Sequence, residues 1–251
     1  MARQKGLLKL EGRLGDLSFY DSVFGPIVRR KGGPSKEQIS KGKNFARVRE
    51  HNAEFKACAA AGKTLRWHLK PLLTTKDHTR VWRTTQLMYR LKELDKTSAK
   101  GKRSVMKGLQ SADGKEQMKG FDFNGQAPLK KVLRCEATVD QASKSVHLKG
   151  FVPGLHLKLP KGANQVSLKV ALARVDLDKN KAKLAVSETL LLKTDKKVTD
   201  VRLELKEPKG ISGFDIYLLQ ICFWQYVNGT AYPLNNGLHT VLSIIGTDDY
   251  H

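Results

Sequence analysis

Ile216-Tyr217-Leu218-Leu219-Gln220-Ile221-Cys222-Phe223-Trp224 is the stretch on which the reading of the fold turns. A nearly unbroken apolar run of this length, without the alternation of a half-solvated strand, reads as a strand covered on both faces, central in a sheet or at an interface. Asn228-Gly229 follows it and is a strong hairpin signal, because both central positions of the favoured two-residue turn need positive φ. Working outward, Val132 to Val139, Ser145 to Val152, Val166 to Leu177, Leu184 to Leu192, Val198 to Leu205, Ile216 to Tyr226 and Leu238 to Ile245 are β-branched or aromatic runs separated by turn residues. They predict seven or eight strands and an antiparallel β-sandwich over residues 121–251. The last segment, 210–251, holds no Lys or Arg that would guard an edge strand.

Upstream the period changes. Residues 6–31 place Gly12, Gly15 and Gly25 between short apolar stretches, which predicts a β-hairpin element over 1–34, with Pro26 suited to an edge. Ser35 with Gln38 three residues on forms a capping-box pattern, so a helix is expected from Lys36 and an interruption at Gly42. A longer helix follows, with Phe45, Val48, Asn52, Phe55 and Ala59 on one face; Gly62 is expected to divide it and Pro71 to end it. Asp77 is the expected N-cap of another helix, in which Val81, Thr84, Met88, Leu91 and Leu94 form the apolar stripe. Residues 96–104 read as a mobile basic loop, and Val105 to Leu109 as one short helical turn. The predicted class is α+β: a short N-terminal β-hairpin (1–34), a basic helical segment (35–120), then the antiparallel sandwich (121–251).

Charge follows the same division. Residues 1–120 hold 28 Lys/Arg against 11 Asp/Glu, residues 121–209 hold 18 against 10, and residues 210–251 hold none against 3. A chain with a formal net charge of +22 and 40% hydrophobic residues is a folded protein built to meet a polyanion, not a disordered basic tail. Its three cysteines, Cys58, Cys135 and Cys222, are far apart and form no C-x-x-C pair, which argues against a disulfide framework or a zinc knuckle. No stretch approaches the ~20 apolar residues that span a bilayer. Leu7, Leu8 and Leu10 are too few for a signal-peptide core, so no membrane partner and a cytoplasmic location are expected.

Gly12, Leu14, Gly15, Leu17, Phe19 and Tyr20, then Arg29, Lys31, Gly32 and Gly33, then Phe45, Arg47, Arg49, Glu50 and Asn52 form a pattern over the first ~110 residues. It resembles the opening of a family of uncharacterised bacterial proteins, in which a Gly-x-Leu-Gly-x-Leu-x-Phe-Tyr hairpin precedes an Arg-x-Lys-Gly-Gly turn and an Arg-x-Arg-Glu helix. YVNGTAYPLNNG is the best match further on, and Asp21 to Pro26 departs from the family's polar turn. The resemblance implies no activity.

Catalytic constellations are not evident. His51, His68 and His78 lack metal-ligand spacing, and Gly62-Lys63-Thr64 would need a Walker glycine where Ala57 stands. No catalytic residue, metal or cofactor is assigned, and a non-enzymatic role is expected. The cations fit a phosphate backbone better: Arg30, Lys31, Arg47, Arg49, Arg66, Arg80, Arg83, Arg90, Lys100, Lys102 and Arg103 are the candidate nucleic-acid-binding residues, with Lys96 and Lys107 beside them. Trp67, Trp82 and Tyr89 are interleaved, although helical spacing places the two tryptophans in the core in preference to exposed stacking positions. Two function classes follow. The first is a DNA- or RNA-binding protein whose β-rich part is a scaffold or oligomerisation module. The second is a self-assembling structural protein, a filament, shell or phage-like particle subunit, that buries 210–251 in a homo-oligomer interface.

Overall fold

The structure, a computed structural model, describes residues 2–4, 9–30, 32–234 and 238–250. The chain divides into two compact units, Met1–Arg49 and Glu50–His251. This boundary differs from the one expected near residue 120, because the helices after Glu50 share a core with the strands that follow them.

In the first unit, β1 (Ala2–Arg3), β4 (Gly25–Arg30), β3 (Leu17–Ser22) and β2 (Gly12–Leu14) form an antiparallel sheet in that order. Pro26 is not at a free edge: its carbonyl accepts from Gln4 N–H at 3.0 Å, a bond that does not need the N–H it lacks. Helix α1 (Lys36–Lys41) starts as the sequence predicts. Ser35 Oγ accepts from Gln38 N–H at 3.1 Å while the Gln38 amide oxygen accepts from Ser35 N–H at 2.7 Å, and Gly42 is the C-cap.

Helix α2 (Ala46–His68) runs on without a break at Gly62. Its buried residues are Glu54, Cys58, Ala61, Gly62 and Leu65, a stripe rotated away from the expected Val48/Phe55 face. That face, mostly small residues, joins a core with Leu87, Met88 and Leu91 of α3 (Arg80–Glu93) and with the strands that follow, and a Cβ on Gly62 would meet Thr84 and Met88 at an ordinary 3.6 Å. Gly62 is therefore carried inside the helix without breaking it. After His68 the chain turns through a 3-10 segment, Lys70–Leu72, with Pro71 near its start. The N-cap position of α3 is Thr79, not Asp77, whose carboxylate instead accepts from Thr79 N–H at 2.8 Å. Short helices α4 (Val105–Leu109), α5 (Ala112–Met118) and α6 (Leu129–Val132) follow. Gly108 lets α4 press onto α3, since a Cβ there would stand 1.8 Å from the Leu91 carbonyl oxygen.

The strands then form two sheets. β5 (Thr138–Asp140), β6 (Ser145–Phe151) and β10 (Thr199–Glu204) make a three-stranded one, with the short helix α7 (Pro153–His156) after β6. β7 (Gln165–Asp176), β8 (Lys181–Val186), β9 (Leu190–Lys193), β11 (Phe214–Val227), β12 (Thr230–Pro233) and β13 (Val241–Tyr250) make a six-stranded one. Val132 to Val139, expected as a strand, contributes only its last two residues to β5. The rest belongs to the end of α6 and the connection from it.

β11 is central, paired with β7 on one side and with β13 and β12 on the other. Its period-two alternation feeds two cores. Phe214, Ile216 and Leu218 join Ala171, Ala173 and Val175 against Leu65, Met88, Leu91 and Phe123. Tyr217, Leu219, Ile221 and Phe223 join Val146, Leu148, Phe151, Val201 and Leu203 of the small sheet. The fold is thus α+β with antiparallel sheets, and the six-stranded sheet carries helices on one face and the small sheet on the other. A free-standing two-sheet sandwich would leave the Ile216/Leu218 face in water. The outer edge of β13 is covered by residues 120–123, through Gly120 N–H to Ile244 O at 2.7 Å and Phe123 N–H to Leu242 O at 2.8 Å. That backbone pairing guards the edge that lacks Lys and Arg. Among the described residues, no helix is long and apolar enough to cross a membrane.

Candidate nucleic-acid interface

Most of the arginines nominated from sequence are committed within the protein. Arg103 donates to Glu54 from Nε at 2.8 Å and from Nη2 at 2.7 Å, and also pairs with Glu93. Lys92, fully buried, donates to Glu54 at 2.7 Å and to Glu93 at 2.6 Å, with its Nζ 3.9 Å from the Tyr89 ring centre. Glu54 also accepts from Gly101 N–H at 2.7 Å. Hydrogen bonds from Arg103 hold the Glu54 carboxyl far below the usual carboxylate range; burial opposes this, and Lys92 and Gly101 reinforce it. Burial works against the Lys92 ammonium, but its two carboxylate partners raise its pKa above the ordinary value. The 96–104 segment is therefore anchored, not mobile. Asp95 adds to this by accepting from Thr97, Ser98 and Ser104 N–H groups.

Arg80 donates to the Phe123 and Thr75 carbonyls at 2.8 and 2.7 Å. Arg83 bridges the Asp122 carbonyl, Thr79 Oγ1 and the Asp77 carboxylate. In the first unit, Arg49 donates to the Ile39 and Gly42 carbonyls, both at 2.8 Å, satisfying the C-terminal end of α1, and Arg30 pairs with Asp16. Arg66 is half-buried; burial, with Arg80 nearby, pulls its guanidinium below the ordinary value. Lys31 lies outside the described residues. Arg90, Lys100 and Lys102 are exposed and, among the described residues, no bond of this kind occupies their head groups; Arg47 is exposed and has a partner interaction of its own.

The aromatic residues behave the opposite way. Trp82 is 64% exposed, Trp67 65% and Phe55 57%, with Val81 beside Trp82 at 57%. On α3 the buried residues are Thr84, Leu87, Met88, Leu91 and Lys92; Trp82 lies round the helix from them, Thr85 and partly buried Tyr89 flank them, and Val81 shares their face but is exposed in the first turn. Together with Phe55 and His78 they line a groove. Gln86 belongs both to this groove and to an adjoining hollow lined by Arg83, Arg90, Gln117, Lys119 and Gly125. Arg90 and Lys119 are exposed there, whereas Arg83 is held by its internal bonds.

The α3 surface thus sets exposed ring faces next to exposed cations. Sequence reasoning missed Phe55, Gln86 and Lys119. The available signal was that Glu54, Cys58, Ala61 and Leu65 form an alternative helical stripe, which would leave Phe55 outside. Set against protein-family profiles, curated proteins and solved structures, the chain matches none.

Proposed function

We propose that this is a non-enzymatic nucleic-acid-binding protein that takes unpaired bases on the Trp82–Phe55 groove and the adjoining phosphates on Arg90 and Lys119. The observation that carries the reading is the exposure of Trp82 in a groove whose neighbour is basic. A large ring left in water on a folded helix gains nothing from its own core, while every base offers a face on which it can stack. The two-sheet body then acts as a scaffold that holds α3 rigid. Fluorescence titration with a single-stranded oligonucleotide at rising salt tests this: tryptophan emission is quenched on binding, and affinity falls as salt rises. Absence of binding at low salt overturns it.

A second reading, self-assembly through 210–251, is supported by one observation. At the far end of β11 the hairpin with β12 exposes Tyr226, Val227 and Tyr232, and β12 pairs with β11 alone among the described strands. The Ile216 to Phe223 part is filled by the chain's own β7 and β13, so an interface would use the hairpin end. Light scattering at high concentration that reports a strict monomer overturns this reading.

A further inference from the structure

Several apolar side chains of the first unit stand in water, Leu14 among them, and the most exposed lie at the tip of the hairpin between β3 and β4. Ser22 and Gly25 close it. Ser22 Oγ accepts from Phe24 N–H at 3.1 Å and donates to the Gly25 carbonyl at 3.0 Å, and Gly25 takes the left-handed step with φ of 93°. The two residues between them, Val23 and Phe24, have no positive φ and make no demand that a polar residue would fail to meet. They are nevertheless apolar and stand 94% and 73% exposed. Ile27 is the buried hydrophobic residue of this unit among those described, so the tip is not held back from a core that lacks it.

Behind the tip Asp21 comes first, and the two arginines of the hairpin stand at its base. Ser18 pairs with Arg29 and Leu17 with Arg30 across the two strands, and a shallow hollow is lined by Ser18, Tyr20, Arg29, Arg30 and Gly32. Residues 1–49 carry 12 Lys/Arg against 4 Asp/Glu. β1 pairs with β4 at Ile27 and Val28 and β2 with β3 at Leu17 to Phe19, so the hairpin narrows to two strands at its outer end, Asp21 and Ser22 with Gly25 and Pro26. An end of that width fits a duplex groove, guanidinium groups fit phosphates, and apolar side chains at a leading edge unstack base steps.

Resting on the nucleic-acid reading but on a different surface, we propose that the β3–β4 hairpin enters duplex nucleic acid. Val23 and Phe24 wedge at a base step while Arg29 holds a phosphate along the stem, and Arg30 exchanges its exposed pairing with Asp16 for a second one. The positive charge of the stem selects a polyanion, and the pairing of strand and arginine forks favours a duplex over a lipid surface.

The experiment compares the full-length protein with the double variant Val23→Ser/Phe24→Ser, which leaves Ser22 and Gly25 in place; circular dichroism and melting verify that both fold alike. The probe is a duplex carrying 2-aminopurine, with a single-stranded oligonucleotide of the same sequence as control. The wild type should raise 2-aminopurine fluorescence on binding. The variant should not, and should bind the duplex about tenfold more weakly with the same salt dependence, because the wedge is lost and the phosphate contacts remain. Single-strand affinity should be unchanged. Equal duplex affinity and equal fluorescence for the two proteins would overturn the wedge while leaving the α3 surface standing. Loss of binding to vesicles of anionic lipid, with duplex binding intact, would overturn it in favour of a membrane-inserting tip. Failure of the wild type to bind either nucleic acid at low salt overturns the nucleic-acid reading and the wedge together.

Discussion

The cluster around Glu54 and the groove around Trp82 lie on the same two helices and divide their side chains in opposite ways. In the cluster, Lys92 and Arg103, residues of the type that grips phosphate, are turned inward and consumed by Glu54 and Glu93. In the groove, Phe55 and Trp82, residues of the type that fills cores, are turned outward. Residue type therefore says little about which way a side chain faces on a basic helix. What decides is whether a partner reaches it, and Glu54 reaches across 38 residues to Lys92 and 49 to Arg103.

Acid is the strongest way to break this contrast. Glu54, Asp77 and Asp95 all have carboxyl groups held well below their ordinary values, Glu54 chiefly by Arg103, and Asp77 and Asp95 by backbone and hydroxyl donors that overcome burial. The native state binds fewer protons than the unfolded chain in that range. Their stabilisation is complete above the unfolded carboxylate pKa of about 4 and is lost as pH falls below it. Melting temperature measured from pH 7 down to pH 2 should drop steeply below about pH 4; a flat profile would mean that the cluster is not formed.

Glu54→Ala comes next. It leaves Lys92 buried without its main partner and should cost about 3–5 kcal/mol in urea denaturation. Trp82→Ala should do the reverse: stability stays within about 0.5 kcal/mol, while single-strand affinity weakens by about 1–3 kcal/mol in a titration followed by anisotropy. Loss of stability without loss of binding would place Trp82 with the core after all. Arg90→Ala is the mildest test. It should lower the slope of log affinity against log salt by about 0.7 for a single strand, whereas a variant of Lys100, away from the groove lining, serves as the comparison.

Much of the scaffold was legible because its signals are local. The Ser35–Gln38 capping box, the Asn228-Gly229 turn with φ of 50° and 83°, and the doubly covered strand around Leu218 each rest on neighbours within a few residues. The interface was not legible in the same way. Helical periodicity allowed two stripes on α2, one through Phe55 and one through Glu54, Cys58 and Leu65, and the choice between them came from the sheet that α2 packs on. Arg80 and Arg83 were read as outward cations because the backbone carbonyls of Asp122 and Phe123, about forty residues away, leave no trace in composition.

The covering of the β13 edge by residues 120–123 has a consequence for the order in which the molecule can be built. Helices α2 to α5 are complete in sequence by Met118, yet the surfaces they bury against belong to β7, β11 and β13. At synthesis rates of about 5–20 residues per second, the small-residue face of α2 and the apolar face of α3 wait roughly 7–26 s for the last of the strands to emerge. During that interval the helices lack the strands that cover their apolar faces in the folded chain, so the order of synthesis leaves these faces to be closed last.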